Sequence, residues 1–119
     1  MSKPVVYAYS GCGTCKSALK WLASRGIDAQ VKPIRETPPS RKELSDALAQ
    51  LGGVRQLFNT SGGDYKELGL KDKLASMTES DAIDLLASRG NLVKRPFVAF
   101  KGRYLVGFKD QAAWEAFFA

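Results

Sequence analysis

Two cysteines stand three residues apart in the run Cys12-Gly13-Thr14-Cys15, and the chain contains no others. An apolar, β-prone stretch, Val5 to Tyr9, precedes them, and a helical pattern follows directly. Thiols at that spacing, where a strand gives way to a helix, form the arrangement of a dithiol redox centre. The chemistry follows from the helix N-terminus. Its unpaired backbone N–H groups and its dipole favour negative charge there. A thiolate at Cys12 is thereby stabilised and its pKa lowered from about 8.5. Cys15 falls one turn on, on the same helix face, within reach for a disulfide.

Three blander readings of the pair stay open. Half of a zinc site is one, but a closed site needs four protein ligands, and there is no third cysteine and no histidine. Only zinc shared across a dimer would meet that need, so no metal is expected. A permanent structural disulfide fits poorly with a chain that shows no secretory signal. Two incidental buried cysteines are the third reading.

The elements that must position these thiols can be read from periodicity. Val5 to Tyr9 reads as a buried strand. Residues 13 to 25 read as a helix, with Cys15, Leu19 and Leu22 at i, i+4 and i+7 and Gly26 as its stop. Ile27 to Ile34 reads as a second strand, ended by Thr37-Pro38-Pro39. Ser40-Arg41-Lys42-Glu43 matches a capping box, opening a helix with Leu44, Ala47, Leu48 and Leu51 on one face and Gly52-Gly53 at its end. Residues 54 to 76 are less regular, with short helical pieces around Tyr65 to Leu68 and Lys71 to Ala75. Thr78 opens a further helix whose apolar face is Ile83, Leu86 and Ala87, with Gly90 as its stop. Phe97 to Phe100 and Tyr104 to Phe108 read as strands joined by Lys101-Gly102-Arg103. Asp110 caps a last helix that carries Trp114, Phe117 and Phe118 inward. The order is β-α-β, a helical stretch over about 40–90, then β-β-α: an α/β, thioredoxin-like arrangement.

Length and composition agree with one domain over residues 1–119. Of the 119 residues 45% are apolar and 25% charged, ordinary values for a globular protein. No apolar run approaches the roughly 18 residues of a membrane span, and the N-terminus enters Lys3-Pro4 without an apolar leader. No membrane association is expected, and the cytoplasm is the expected location. The net charge of +6 suits an anionic partner. The basic residues are scattered, however, the densest groups being the pairs Arg41-Lys42 and Lys94-Arg95. No nucleic-acid motif is present, so direct nucleic-acid binding is not expected. Asn59-Thr60-Ser61-Gly62-Gly63 is glycine-rich but lacks the lysine and preceding strand of a phosphate loop, and reads as a plain loop. Trp21, Trp114, Phe117 and Phe118 read as core.

Five segments in order carry a resemblance: Tyr9-Ser10-Gly11-Cys12-Gly13-Thr14-Cys15-Lys16, Glu36-Thr37-Pro38-Pro39-Ser40, Tyr65-Lys66-Glu67-Leu68-Gly69-Leu70, Lys94-Arg95-Pro96 and Val106-Gly107-Phe108. With them the chain resembles the arsenate reductase (ArsC) and Spx-like branch of the thioredoxin superfamily over essentially its whole length. The resemblance implies a mixed four-stranded sheet with a helical insertion between its two halves. It places Cys12 on the family's nucleophile, Arg95 on the arginine before a proline, and Pro96 on the cis-proline facing the thiols. Gly11, Gly13, Thr14 and Pro96 are the substrate-binding positions it implies. A guanidinium near Cys12 would in any case favour its thiolate.

Two departures from the family pattern bear on function. Arsenate-reducing members supply further arginines to hold the oxyanion; here Asn59 and Gly107 occupy those neighbourhoods. Arsenate-specific members need no second cysteine at position 15, whereas Spx-like regulators carry such a pair as a disulfide switch. The expected activity is therefore a thiol–disulfide oxidoreductase, with Cys12 attacking and Cys15 resolving. It would hold no bound cofactor and draw electrons from glutathione or a thioredoxin or glutaredoxin system. Its partner would be a small thiol or an oxidised protein, met as a monomer. The alternatives are an Spx-like redox-sensing regulator that binds RNA polymerase and an arsenate reductase, the latter disfavoured by Asn59 and Gly107.

Overall fold

A computed structural model describes residues 3–119. Strand β1 (Val5–Ala8) leads into helix α1 (Gly13–Ser24) and strand β2 (Gln30–Pro33). Four helices follow: α2 (Arg41–Leu51), α3 (Gly63–Glu67), α4 (Leu70–Lys73) and α5 (Glu79–Ser88). Three 3₁₀ turns lie among and after them, at Val54–Leu57, Leu74–Ser76 and Gly90–Leu92. Strands β3 (Phe97–Phe100) and β4 (Arg103–Val106) and helix α6 (Gln111–Phe118) complete the chain. The sheet order is β2-β1-β3-β4. β1 pairs with β2 in parallel, Val6 opposite Val31, and with β3 antiparallel, Val6 opposite Val98. β3 pairs with β4 antiparallel. This is the mixed four-stranded α/β sheet of a thioredoxin-like fold. No helix among the described residues is long and apolar enough to cross a membrane.

The period-2 alternation of strand side chains builds two cores, one on each face of the sheet. Val6, Ala8 and Val98 point to one face, where α1 and α6 cover them with Cys15, Ala18, Trp21, Leu22, Trp114 and Phe117. Tyr7 and Phe97 point to the other, where the helical insertion covers them with Leu44, Leu48, Leu57, Leu86 and Leu92. On the first face Trp114 donates its indole N–H to the Gly107 carbonyl at 2.9 Å, which lets a bulky polar-tipped ring lie 1% exposed. Trp21, Trp114 and Phe117 are core residues, and Phe118 packs half-buried at their edge.

Helix starts follow the expected caps. Ser40 and Glu43 form the reciprocal capping box, Thr78 caps α5 and Asp110 caps α6. Several boundaries differ from the periodic reading, β4 covering Arg103–Val106 rather than Tyr104 to Phe108, and two of the differences have a clear physical reason. β2 spans four residues rather than 27–34. Ile27 N–H is spent on the Leu22 carbonyl to close α1, so the ladder begins at Gln30 N–H, which donates to Pro4. It ends at Pro33, whose carbonyl accepts from both Glu36 and Thr37 in a turn. The second difference is Gly90, expected as the stop of α5. The helix ends at Ser88, and Gly90 is instead buried where a Cβ would stand 1.7 Å from the Ile34 carbonyl oxygen. Only glycine admits that approach of two backbones.

The insertion is tied back to the sheet beside the thiols. Phe58 and Val93 form an isolated bridge, Asn59 N–H donates to Leu92 at 2.7 Å, and Lys94 N–H donates to Leu57 at 2.7 Å. This double seam fixes the 59–63 loop against the segment that delivers Arg95.

Candidate active site

Cys12 is the N-cap of α1. Its backbone is extended (φ −94°, ψ 118°), and its sulfur accepts the Cys15 backbone N–H at 3.4 Å. One of the helix's orphan donors thus points at the thiol, and the helix carries no acidic residue in its first turn to oppose a thiolate. A tight turn holds the cap: Cys12 N–H donates to the Tyr9 carbonyl at 3.0 Å. Both cysteines are free thiols. Cys12 is partly exposed, whereas Cys15, inside the first turn, is 1% exposed and belongs to the α1–α6 core.

That difference in place becomes a difference in acidity. For Cys12, partial burial acts to raise the pKa. It is outweighed by hydrogen bonds from the Cys15 backbone and side chain, and by the charge and hydrogen bonding of Arg95. The net effect holds Cys12 below the ordinary thiol value. For Cys15, burial dominates and pushes the thiol up to about 11. A Tyr9 backbone hydrogen bond opposes this, and the neighbouring Cys12 sulfur adds to it.

Arg95 arrives through a cis peptide bond to Pro96. Its guanidinium carbon lies over the Tyr9 ring, 5.1 Å from the centroid, and its Nη1 is buried without a hydrogen-bond partner among the described residues. Cys12, Thr14 and Arg95 share a cavity of about 390 Å³. The rest of its wall comes from Phe58 to Gly62 and from Lys94, Gly107, Phe108 and Lys109. A larger groove of about 630 Å³ between α2 and α5 contains Arg41, Ser45 and Glu79 but neither thiol. The smaller cavity is the chemical one, because it opens onto the acidic sulfur.

Of the expected substrate-binding positions, Thr14 lines the cavity, while Gly11, Gly13 and Pro96 stand outside its wall. Each has a physical reason. A Cβ on Gly11 would stand 2.6 Å from Tyr9 Cε2, so the missing side chain makes room for that ring. Gly13 opens α1 on the exposed side. Pro96 is buried beneath the site, its carbonyl accepting Gly107 N–H at 2.9 Å.

Several wall residues carried no signal of this place in the sequence. Phe58, Thr60, Ser61 and Lys109 reach it only through tertiary contacts. The Lys94-Arg95 pair was visible as charge, but not as cavity wall. Gly107 shows why no side chain is needed at its position: its φ is +75°, and a Cβ there would meet Lys94 Cε at 3.3 Å. Lys94 already occupies that space. Asn59 is part of the wall, and its Nδ2 lies 2.7 Å from where a Gly62 Cβ would be. Among the described residues no group of three or more His, Cys, Asp or Glu side chains could hold a metal ion.

Comparison with known proteins agrees with this geometry. The ArsC family model matches residues 7–117. The uncharacterized Bacillus subtilis protein YusI is 45% identical over 106 residues, 87% of this chain and 89% of that protein. An Escherichia coli arsenate reductase is 35% identical over 99 residues, 82% of this chain and 69% of that enzyme. A crystal structure described as a possible arsenate reductase from Streptococcus mutans superposes with a TM-score of 0.91 at 33% identity, covering 100% of both chains. An ArsC-family-related protein from Bacteroides fragilis gives 0.90 at 41% identity over 97% of each chain. With the thioredoxin-like sheet, the capped thiol and these relatives together, the chain belongs to the ArsC family of the thioredoxin superfamily.

Proposed function

We propose that this protein is a thiol–disulfide oxidoreductase in which Cys12 is the nucleophile and Cys15 the resolving thiol. The observation that carries the reading is the asymmetry of the pair: an acidic, partly exposed sulfur at a cavity, and a buried, weakly acidic one a turn behind it. The Cys12 thiolate attacks one sulfur of a substrate disulfide, forming a Cys12–substrate mixed disulfide and releasing the other sulfur as a thiolate. Cys15 then loses its proton and attacks the Cys12 sulfur. The Cys12–Cys15 disulfide forms and the second substrate thiolate leaves. The substrate gains two electrons and the enzyme dithiol loses them. An external thiol couple, glutathione or a thioredoxin or glutaredoxin system, returns the chain to the dithiol state. The cytoplasm, where thiols are kept reduced, suits that cycle.

Lys94, Arg95 and Lys109 make the cavity cationic, which suits a small anionic disulfide or thiol. Arsenate reduction, the activity named for several relatives, is the competing reading. A tetrahedral oxyanion is best held by several planar, multidentate guanidiniums. This cavity offers one guanidinium and two ammoniums, with Asn59 supplying only an amide to its wall and Gly107 no side chain. The reading therefore favours disulfides. A coupled turnover assay tests it, with arsenate and a model disulfide each run against glutathione–glutaredoxin and thioredoxin systems. Disulfide turnover is expected with at least one donor. Reduction of arsenate with kcat on the order of 1 s⁻¹ or more overturns the preference.

A further inference from the structure

We propose that Tyr9 is a positioning residue for this site: its ring, lying against two guanidiniums, holds that of Arg95 beside the Cys12 sulfur. The proposal rests on the reading of Cys12 as the nucleophile and adds to it the group that sets the geometry of Arg95.

The question arises because, apart from its contact with the Cys12 sulfur, Arg95 has little polar partnering to orient it. No ion pair among the described residues includes it, and its Nη1 has no hydrogen-bond partner. A long side chain with one fork nitrogen unpaired has many rotamers to lose before it stays in one place. The aromatic face supplies an anchor. Arg95 Cζ lies 5.1 Å and Arg35 Cζ 4.8 Å from the Tyr9 centroid, both within range of the ring quadrupole.

Tyr9 is tethered to the thiol as well as to the arginine. It follows β1 on the insertion face, in phase with Tyr7, and packs against that core. Its carbonyl takes the Cys12 N–H at 3.0 Å. Its ring is pressed beneath the intervening loop, Cε2, Cζ and Oη lying 2.6, 2.9 and 3.0 Å from where a Gly11 Cβ would stand. Backbone and ring of one residue thus register the nucleophile against its cation, and Gly11 leaves the space for it. The Tyr9 hydroxyl makes no hydrogen bond among the described residues, so the aromatic face and not the hydroxyl does the holding.

The test titrates the Cys12 thiolate by its ultraviolet absorbance and measures its alkylation by iodoacetamide below the titration midpoint. The variants are Tyr9→Leu, Tyr9→Phe, Arg95→Ala and the double variant, each checked for fold by circular dichroism. Tyr9→Leu is expected to raise the midpoint and slow alkylation roughly threefold, the size of one cation–π contact. Tyr9→Phe, which keeps the ring, is expected to match the parent chain. In the Arg95→Ala background Tyr9→Leu is expected to add nothing, because the two act as one unit. A folded Tyr9→Leu with an unmoved midpoint overturns the proposal. An effect of Tyr9→Leu that persists undiminished without Arg95 overturns it too. Should Tyr9→Leu fail to fold, Gly11→Ala replaces it: the new Cβ pushes the free end of the ring aside, and an unmoved midpoint there also sinks the idea. Failure of the underlying reading shows separately, as disulfide turnover that survives Cys12→Ser.

Discussion

On the α1–α6 face of the sheet, Trp21, Trp114, Phe117 and Phe118 meet in edge and tilted ring contacts with centroids 5.0–6.2 Å apart. On the other face the insertion packs mainly leucines, Leu44, Leu48, Leu57, Leu86 and Leu92 among them, onto Tyr7 and Phe97. The first face buries Cys15, and that burial pushes its thiol pKa up. The second face supplies the 58–62 wall of the cavity and the seam that delivers Lys94 and Arg95. The lesson is a division of labour: the thioredoxin-like half carries the thiol pair and the cations beside it, and the insertion closes the cavity over them with residues 58–62.

The sharpest way to break that comparison is to remove each sulfur. Cys12→Ser should reduce disulfide turnover by a factor on the order of 10³ or more, as loss of a nucleophile does. Cys15→Ser should instead stop after the first attack, and mass spectrometry should find the substrate disulfide-bonded to Cys12. A mixed disulfide that accumulates on Cys15 in Cys12→Ser would reverse the roles.

The two cores can be weakened one at a time. Trp114→Ala removes a 1%-exposed ring and its bond to Gly107, and should cost about 3–5 kcal/mol in urea denaturation. It should also make Cys15 accessible to alkylation in the folded protein. Leu86→Ala, on the insertion face, should cost about 2–5 kcal/mol and leave Cys15 protected. Equal protection of Cys15 in both variants would mean that the aromatic face is not what shields it.

A smaller effect tests the junction of the insertion with β2. Gly90→Ala places a Cβ against the Ile34 carbonyl, a backbone group that cannot swing away, and should cost about 1–3 kcal/mol. Gly63→Ala, at the start of α3 with open space around it, should lie within about 0.5 kcal/mol of neutral. A Gly90→Ala chain as stable as Gly63→Ala would show that the two backbones are not held together there.

Much of this division was readable from the residues. The strands and caps of the thioredoxin-like half announce themselves through local rules: a short β-prone apolar run at Val5 to Ala8, Asp110 before an aromatic helix, two cysteines at a helix start. The insertion was readable as helix only where capping and periodicity coincide, in α2 and α5. Its turns depend on tertiary contacts, such as the Phe58–Val93 bridge, that no window of sequence contains. The same holds for the site. Cys12, Cys15 and Arg95 came from motif and resemblance. Lys109 and the Tyr9–Arg35–Arg95 cluster did not, because their chemistry exists only once separate segments have met. Gly11 and Gly90 were noticed as glycines, yet each is defined by the atom that crowds it.

The mildest prediction concerns alkaline pH, where each face contributes one buried acid. Cys15 on the aromatic face is pushed up to about 11, chiefly by burial. Tyr7 on the insertion face is raised as well, by burial first and then by the hydrogen bond its hydroxyl donates to Glu43 at 2.8 Å. In the unfolded chain the thiol titrates near 8.5 and the phenol near 10. Between those values and the folded ones the native state holds protons that the unfolded state has lost, so stability must fall as pH rises. Cys12 has the opposite sign: its pKa is lowered, so its contribution is full above the unfolded thiol value and is lost as pH falls through the folded one. Unfolding free energies from urea denaturation should therefore decline from about pH 9 upward as the two titrations are passed. Cys15→Ala should flatten the earlier part of that decline, and Tyr7→Phe the part that begins near pH 10. The slope against pH is the readout, because each variant also changes packing and so shifts the whole curve. If both variants keep the parent slope, neither buried acid is responsible. If only Tyr7→Phe flattens it, Cys15 ionises in the folded protein as readily as in the unfolded chain, and the aromatic face does not hold its proton.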